Sequence, residues 1–213
     1  MKLLFLIIMA GALAFDSNAK NTRAENTLQG ETSSMETSKT TKRVSQILFQ
    51  SENDIAAWRR VNDSVMGGVS RSSMTNEGQY GVFSGTLSLD NNGGFASVRR
   101  LWTPTEKMPN TELGTKGKLT LKVKGDGQYY QLRFRTNRYL DGVSYASGFQ
   151  TKANEVTEHS FDLNDFVPVW RGRQLRNVEA LAWEDIVQIG IMITQKQEGP
   201  FKLKVESIAL ASI

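Results

Sequence analysis

From Lys118 to Lys124 the chain alternates without a break: Leu119, Leu121 and Val123 are apolar, while Lys118, Thr120, Lys122 and Lys124 are polar. A period of two puts the two sets on opposite faces of an extended strand, one turned to a core and one to water. Strand-like runs recur at Tyr80 to Leu89 (Val82 or Phe83 inward), Phe95 to Trp102, Tyr129 to Thr136, Ser144 to Thr151, Glu158 to Leu163, Ile186 to Thr194 and Phe201 to Leu210, with Ile47-Leu48-Phe49 opening the series. Gly125-Asp126-Gly127, between two of these runs, reads as a hairpin turn. The Ile186–Thr194 run is nearly continuous in apolar residues, which predicts a central strand covered on both faces. Phe201, Leu203 and Val205 share a parity that Ile208 and Leu210 break, which predicts a bulge near Glu206-Ser207. Helix is expected only after Asp54, read as the N-cap of a turn or two through Ile55-Ala56-Ala57-Trp58. This pattern specifies an all-β fold: an antiparallel two-sheet sandwich of jelly-roll type with one short helix.

The domain begins at about Val44 and runs to Ile213, one domain's worth of chain. Ahead of it, residues 20–43 are dominated by Thr, Ser, Asn, Glu and Lys, with only Leu28 and Met35 as larger apolar residues. Such a leader buries too little surface to offset its chain entropy. Residues 1–19 open with Lys2 near the start, continue as an apolar run from Leu3 to Phe15 and end with Ser17 and Ala19 at the spacing of a cleavage site. This is the pattern of a secretory signal peptide, cut after Ala19, and places the mature protein in the periplasm or outside the cell. The apolar run falls short of the ~20 residues a spanning helix needs, and no second run of that length follows. The chain contains no cysteine, which excludes disulfides, thiolate metal ligands and cysteine nucleophiles. A formal charge of +4 over 213 residues is too small an excess for a nucleic-acid reader.

Two glycine pairs stand out. One closes the stretch Trp58 to Ser70, within Asn62-Asp63-Ser64-Val65-Met66-Gly67-Gly68-Val69-Ser70; the other lies in Asp90-Asn91-Asn92-Gly93-Gly94-Phe95. Each marks a sharp turn or a close approach of backbone to something else. Val61, Val65, Met66 and Val69 are expected to anchor the first as an ordered loop, the kind of element on which binding sites sit. Asp90-Asn91-Asn92-Gly93 has the composition of a calcium loop, but an Asx turn needs the same residues and is the simpler account.

Chemistry-bearing residues are sparse. His159 is the only histidine, shares strand parity with Phe161 and Leu163, and reads as a partly buried, hydrogen-bonded strand residue. A second histidine for zinc and a G-x-S-x-G elbow are both missing. Asp63 is the one carboxylate not beside an obvious turn. On the Tyr129–Thr136 strand, Tyr130, Leu132 and Phe134 face one way and Tyr129, Gln131, Arg133 and Arg135 the other. That outward row offers either stacking and forked hydrogen bonds to a sugar or a protein, or a solvated face paired to carboxylates on neighbouring strands. Trp170-Arg171-Gly172-Arg173 follows Phe166-Val167-Pro168-Val169 as a loop with the makings of an interface anchor or of a cation–π clasp.

Taken in order, these motifs resemble the complex I intermediate-associated protein 30 family. The matching segments are Trp58 to Ser70, Phe83-Ser84-Gly85, Asn92-Gly93-Gly94-Phe95-Ala96-Ser97, Phe166 to Arg173, Ile189-Gly190-Ile191-Met192-Ile193, and Gly199-Pro200-Phe201-Lys202-Leu203 with Ile208. The resemblance implies a galactose-binding-like β-sandwich. It also implies kinship with mitochondrial assembly factors that hold intermediates of respiratory complex I (NADH:ubiquinone oxidoreductase) without catalysing a reaction. The family offers no catalytic residues to carry over, and a matrix assembly role does not suit an exported chain.

The expected function is therefore a non-enzymatic binding module for a protein or carbohydrate partner in the envelope, with no cofactor and no metal. The residues expected to shape its site are Asn62, Asp63, Met66, Gly67, Gly68 and Ser70 in the first glycine loop, and Asn92 and Gly94 in the second. Arg133 and Arg135 on the strand, and Trp170, Arg171 and Arg173 in the Pro/Gly loop, complete the set. Asp63 is expected to orient an arginine or a hydroxyl. The alternative is an envelope carbohydrate-active enzyme using Asp63 and a second carboxylate across a cleft.

Overall fold

The computed structural model describes residues 42–103, 117–139 and 141–212, so the expected signal peptide and nearly all of the leader lie outside the described residues. Two antiparallel sheets face each other. The first contains β3 (Arg71–Glu77), β4 (Tyr80–Leu87), β13 (Gly199–Ser212), β6 (Gly117–Lys124) and β9 (Val156–Phe161), in that order, with β1 (Lys42–Leu48) also paired to β13. The second runs β11 (Arg173–Gln174), β10 (Val167–Trp170), β8 (Ser144–Gln150), β7 (Tyr129–Arg135), β12 (Gln188–Ile193), β5 (Ala96–Leu101), β2 (Arg59–Arg60). β1 begins at Lys42, inside the segment that composition assigns to the leader. β13 is long enough to be shared: its first half pairs with β4 and its second half with β1, while β6 lies along the other side. The expected bulge is present, as the β13–β6 register slips between Val205 and Ser207.

Alternation predicts faces better than it predicts partners. Leu119, Leu121 and Val123 are fully buried, as are Leu132, Phe134, Ile189, Ile191 and Ile193 from the opposite sheet. Aromatic rings tie the layers together: Tyr130 of the second sheet meets Phe83 and Phe201 of the first at centroid distances of 6.5 Å. However, β6 and β7 do not form the hairpin expected across Gly125-Asp126-Gly127; they belong to different sheets. The turn is a corner, fixed by Asp126 Oδ2, which accepts from the Tyr130 hydroxyl (2.9 Å) and from the Lys202 backbone N–H (2.7 Å). A Gly-Asp-Gly turn supplies the bend in either case, so local chemistry does not choose between hairpin and corner. The helix α1 (Glu52–Ala56) is capped by Ser51, not Asp54: Asp54 is the third residue in, and the two side chains bond reciprocally to each other's backbone.

β12 is central but not covered on both faces. Its apolar run is an alternation in disguise, with Ile189, Ile191 and Ile193 in the core and Gln188, Gly190 and Met192 on the outer face. A glycine counts as apolar in a run yet has no side chain to bury, and this one leaves the outer face open.

Candidate functional site

The outer face of the second sheet forms the floor of a cleft of about 720 Å³. Its rows follow from register. Arg59, Arg99, Gly190, Arg133 and Ala146 lie side by side across β2, β5, β12, β7 and β8. The row below contains Leu101, Gln188 and Arg135, and the row above contains Ser97, Met192, Gln131 and Gly148. The cross-strand neighbours of Arg133 are thus Gly190 and Ala146, and one neighbour of Arg135 is Gln188. None of these is a carboxylate, so the floor is not the solvated, charge-paired face that the strand pattern also allowed.

The wall of the cleft is built on Asp63. Its carboxyl is fully buried and accepts from the Ser70 N–H (3.0 Å), the Ser70 hydroxyl, the Gly94 N–H (2.7 Å) and the Phe95 N–H (3.3 Å). A Cβ at Gly68 would overlap the Asp63 side chain, and one at Gly93 would stand 2.6 Å from Asp63 Oδ2. Close approach is therefore what two of the four glycines provide. Gly67 serves the bend, ending the 3-10 turn of Asp63–Met66 at φ +92°. Asn62 extends the network, accepting from the Ser72 hydroxyl (2.7 Å) and from the Ser97 N–H (3.3 Å).

This inverts the expected loop. Val65, Met66 and Val69, expected as anchors, are 70%, 57% and 45% exposed, and the anchor is the buried acid. An acid held by four donors can leave water at low cost, and the apolar side chains of this loop stay exposed.

Electrostatics separate the wall from the floor. Among the described residues six arginines line the cleft (Arg59, Arg60, Arg99, Arg133, Arg135 and Arg171) against a single carboxylate, Asp141. Arg133 donates to Gln131 Oε1 from Nε (3.1 Å) and Nη2 (2.7 Å), and to the Ser144 hydroxyl (3.4 Å). Arg135 donates to the carbonyl of Gly142 (3.0 Å). Burial, reinforced by repulsion from Arg135 and Arg59, pushes the Arg99 guanidinium down to about 10. Burial and the Arg135 charge push Arg133 down to about 10 as well. Asp141 is engaged elsewhere: a hydrogen bond from Arg171 Nη2 (2.7 Å), with further donors at the Gly142 N–H and Trp170 Nε1, holds it down to about 2.

Of the expected residues, Asn62, Met66, Asn92, Gly94, Arg133, Arg135 and Arg171 line the cleft. Asp63, Gly67, Gly68 and Ser70 lie behind it as its wall's support. Asp63 orients the Ser70 hydroxyl but presents no carboxyl to the cleft, so the acid–base pair envisaged for an enzyme lacks its first member there. Trp170 and Arg173 fall outside the lining. The segment around them is a β-hairpin, not a loop: Trp170 pairs with Arg173, and Arg171 (φ 47°) and Gly172 (φ 79°) make the turn. The Arg171 guanidinium stacks 4.9 Å from the Trp170 ring. His159 has the bland role expected, packed on Phe149 at 4.9 Å with its Nε2 3.0 Å from the Thr157 hydroxyl. Asp90–Asn92 is a tight turn with Asn91 (φ 54°) and Asn92 (φ 59°) in the left-handed region, and no group of three acidic or histidine side chains able to hold a metal occurs among the described residues. Arg99, Gly190 and Met192 are cleft residues that sequence reasoning passed over. Strand parity around Ala96 and Val98 already turned Arg99 outward; what was missing was the pairing that sets it beside β12.

The architecture is a jelly-roll β-sandwich of the kind found in carbohydrate-binding modules. Two solved structures of the family 11 carbohydrate-binding module from Clostridium thermocellum illustrate it. One, in complex with a β-1,3-1,4-mixed-linked tetrasaccharide, is similar at 12% identity with a TM-score of 0.53, over 78% of this chain and 95% of that one. The module of the cellulosomal cellulase Lic26A-Cel5E gives 12% identity and a TM-score of 0.54 over 78% and 94%. By sequence, the chain belongs to the complex I intermediate-associated protein 30 (CIA30) family, whose pattern matches residues 47–205. No curated protein matches it by sequence.

Proposed function

We propose that this chain is a non-enzymatic carbohydrate-binding module of the envelope, taking an oligosaccharide across the outer face of β5, β12 and β7. The observation that carries this reading is the cleft itself: about 720 Å³, floored by a rigid sheet and walled by two loops joined through Asp63. That volume lies in the range of small-ligand sites, and it is recessed where a protein partner would favour a broad, flat patch. Polar side chains on a rigid sheet also suit saccharide hydroxyls, since Ser97, Gln188, Arg133 and Ser144 offer donors and acceptors in fixed positions. The likeness to carbohydrate-binding modules supports the fold, and one of those modules is solved with a bound tetrasaccharide.

A second reading, a protein partner as in the assembly-factor branch of the family, draws support from the exposed Val65, Met66 and Val69 at the cleft's rim. One experiment separates the two. The full mature chain is screened on a glycan array, and the best saccharide is titrated while backbone amide shifts are followed. Shifts clustered at Met66, Gly94, Gly190 and Met192 are the expected result. Absence of any bound saccharide, or shifts confined to the opposite sheet, defeats the carbohydrate reading.

A further inference from the structure

One cleft of this protein carries a local excess of positive charge. The formal excess of the chain is +4, and the residues lining that cleft contribute six arginines and one carboxylate. Among the described residues the lining therefore carries a local positive excess. Clefts lined by one sign of charge focus that field and raise the local concentration of an opposite-sign ligand.

Geometry defines what that ligand must be. Arg99 and Arg133 occupy strands on either side of β12 and share a row with Gly190 between them. Strand spacing sets their Cα atoms about 9.5 Å apart, and Arg135 lies about 7 Å along β7 from Arg133. Gly190 keeps the floor between the two guanidinium groups clear: a Cβ there would come within 2.9 Å of the Val98 carbonyl oxygen and 3.1 Å of the Arg99 Cβ. The planar fork of arginine fits carboxylate and sulfate oxygens two at a time, in a way that a neutral hydroxyl cannot repay. Among the described residues Phe95 is the one aromatic residue of the lining, and it is not part of the floor strands, so these strands present no flat ring platform for neutral sugar rings. Nor do they provide stacking surfaces for successive bases, on which single-stranded nucleic acids depend.

We infer that the cleft takes an acidic saccharide, its carboxylate or sulfate groups seated over Gly190 between Arg99 and Arg133 with Arg135 at the flank; this rests on the carbohydrate-binding reading above. The ligand supplies negative charge to a lining that holds one carboxylate against six arginines. Repulsion among the arginines is relieved when it binds.

The test is calorimetric titration of the full mature chain with four probes: oligogalacturonate, its methyl ester, a sulfated galactan oligosaccharide, and a neutral mixed-linked β-glucan oligosaccharide. Oligogalacturonate or the sulfated galactan is expected to bind, with the stronger of the two telling carboxylate from sulfate. Esterification, raised salt, and Arg99→Gln or Arg133→Gln are each expected to weaken binding about tenfold or more. Melting curves of both variants establish that they are folded, and Arg133→Lys should restore part of the affinity. Equal binding of the ester, the neutral glucan and the acid, unchanged in the variants, overturns the acidic preference and leaves carbohydrate binding standing. Binding of none of the four overturns both; capture of polyglutamate or single-stranded DNA through the same arginines would then identify a different anionic partner.

Discussion

Asp63 and the arginines of the cleft floor are two places where ionisable side chains leave water, and the protein treats them in opposite ways. Asp63 is enclosed by three backbone N–H groups and a hydroxyl, so the buried acid is satisfied from within the fold. Arg99 and Arg133 are pressed by burial and by the charge of Arg135, and the cross-strand neighbours of Arg133 include no carboxylate. A buried group whose donors all come from the chain is part of the structure. A buried cation set among like charges gains from an anion supplied from outside. The contrast predicts effects of very different size on mutation, and that is how it can be broken.

The largest effect is expected at Asp63. Asp63→Ala leaves buried donors from two loops without an acceptor and should cost about 3–4 kcal/mol, a fall in melting temperature on the order of 10 °C. Asp63→Asn should recover little of this, because both oxygens receive N–H donors and the amide NH2 must face one of them in either orientation. Calorimetry or thermal circular dichroism reads both. A variant that melts like the parent would mean that Asp63 is not the joint between the loops. Next in size is Gly93→Ala, whose added methyl meets Asp63 Oδ2 and the Ser88 and Asp90 carbonyl oxygens; roughly 2–3 kcal/mol of destabilisation is expected. Gly78→Ala, at a turn with open space around it, separates crowding from the backbone penalty of a positive φ.

How much of this was legible in the sequence depends on whether the cue was local. Faces followed from parity, and the bulge in β13 followed from a slip in that parity. Arg133 and Arg135 share one side of their strand because Tyr130, Leu132 and Phe134 claim the other, and that division is written in five consecutive residues and their neighbours. The corner at Gly125-Asp126-Gly127 was not legible, because its deciding contact comes from Lys202, far along the chain. Arg99 escaped for the same reason: β5 and β7 flank β12 from distant parts of the sequence. The first glycine loop defeats a rule that holds on average, that apolar residues anchor loops. Here an acid with enough donors replaced them.

On the floor the balance is different. A guanidinium whose pKa is lowered on folding binds its proton less tightly in the native state. Between about pH 10 and the ordinary arginine range near 12.5 the unfolded chain therefore carries more protons, and stability rises with pH. At neutral pH burial and like charge in this pair are a cost to folding, set against the hydrogen bonds that Arg133 gives to Gln131 and Ser144. Arg99→Gln/Arg133→Gln is accordingly expected to shift the melting temperature far less than Asp63→Ala does, while removing the cleft's affinity for acidic saccharide. A double variant that melts well below the parent would put these arginines in the same structural class as Asp63 and erase the distinction between wall and floor.

The smallest effect sharpens the boundary between the two regions. Asp141 lines the cleft but is already occupied: Arg171, the Gly142 N–H and Trp170 Nε1 hold its carboxyl from the ordinary carboxylate value of 3.8 down to about 2. Because the folded pKa is depressed, what this clasp contributes is fully present above about pH 4 and is lost as pH falls through about 2. Trp170, half exposed and in contact with both Arg171 and Asp141, is placed to report it. Its fluorescence should change over that acid window in the parent and stay flat in Asp141→Asn, which lacks the titrating group. The same substitution should leave the melting temperature at neutral pH nearly unmoved, since the pair is exposed and screened. It should also tighten acidic saccharide slightly, by removing the cleft's one competing carboxylate. Weaker binding in that variant would mean that Arg171, once released, no longer stands where the cleft needs it, and would assign Asp141 to the wall rather than to the floor.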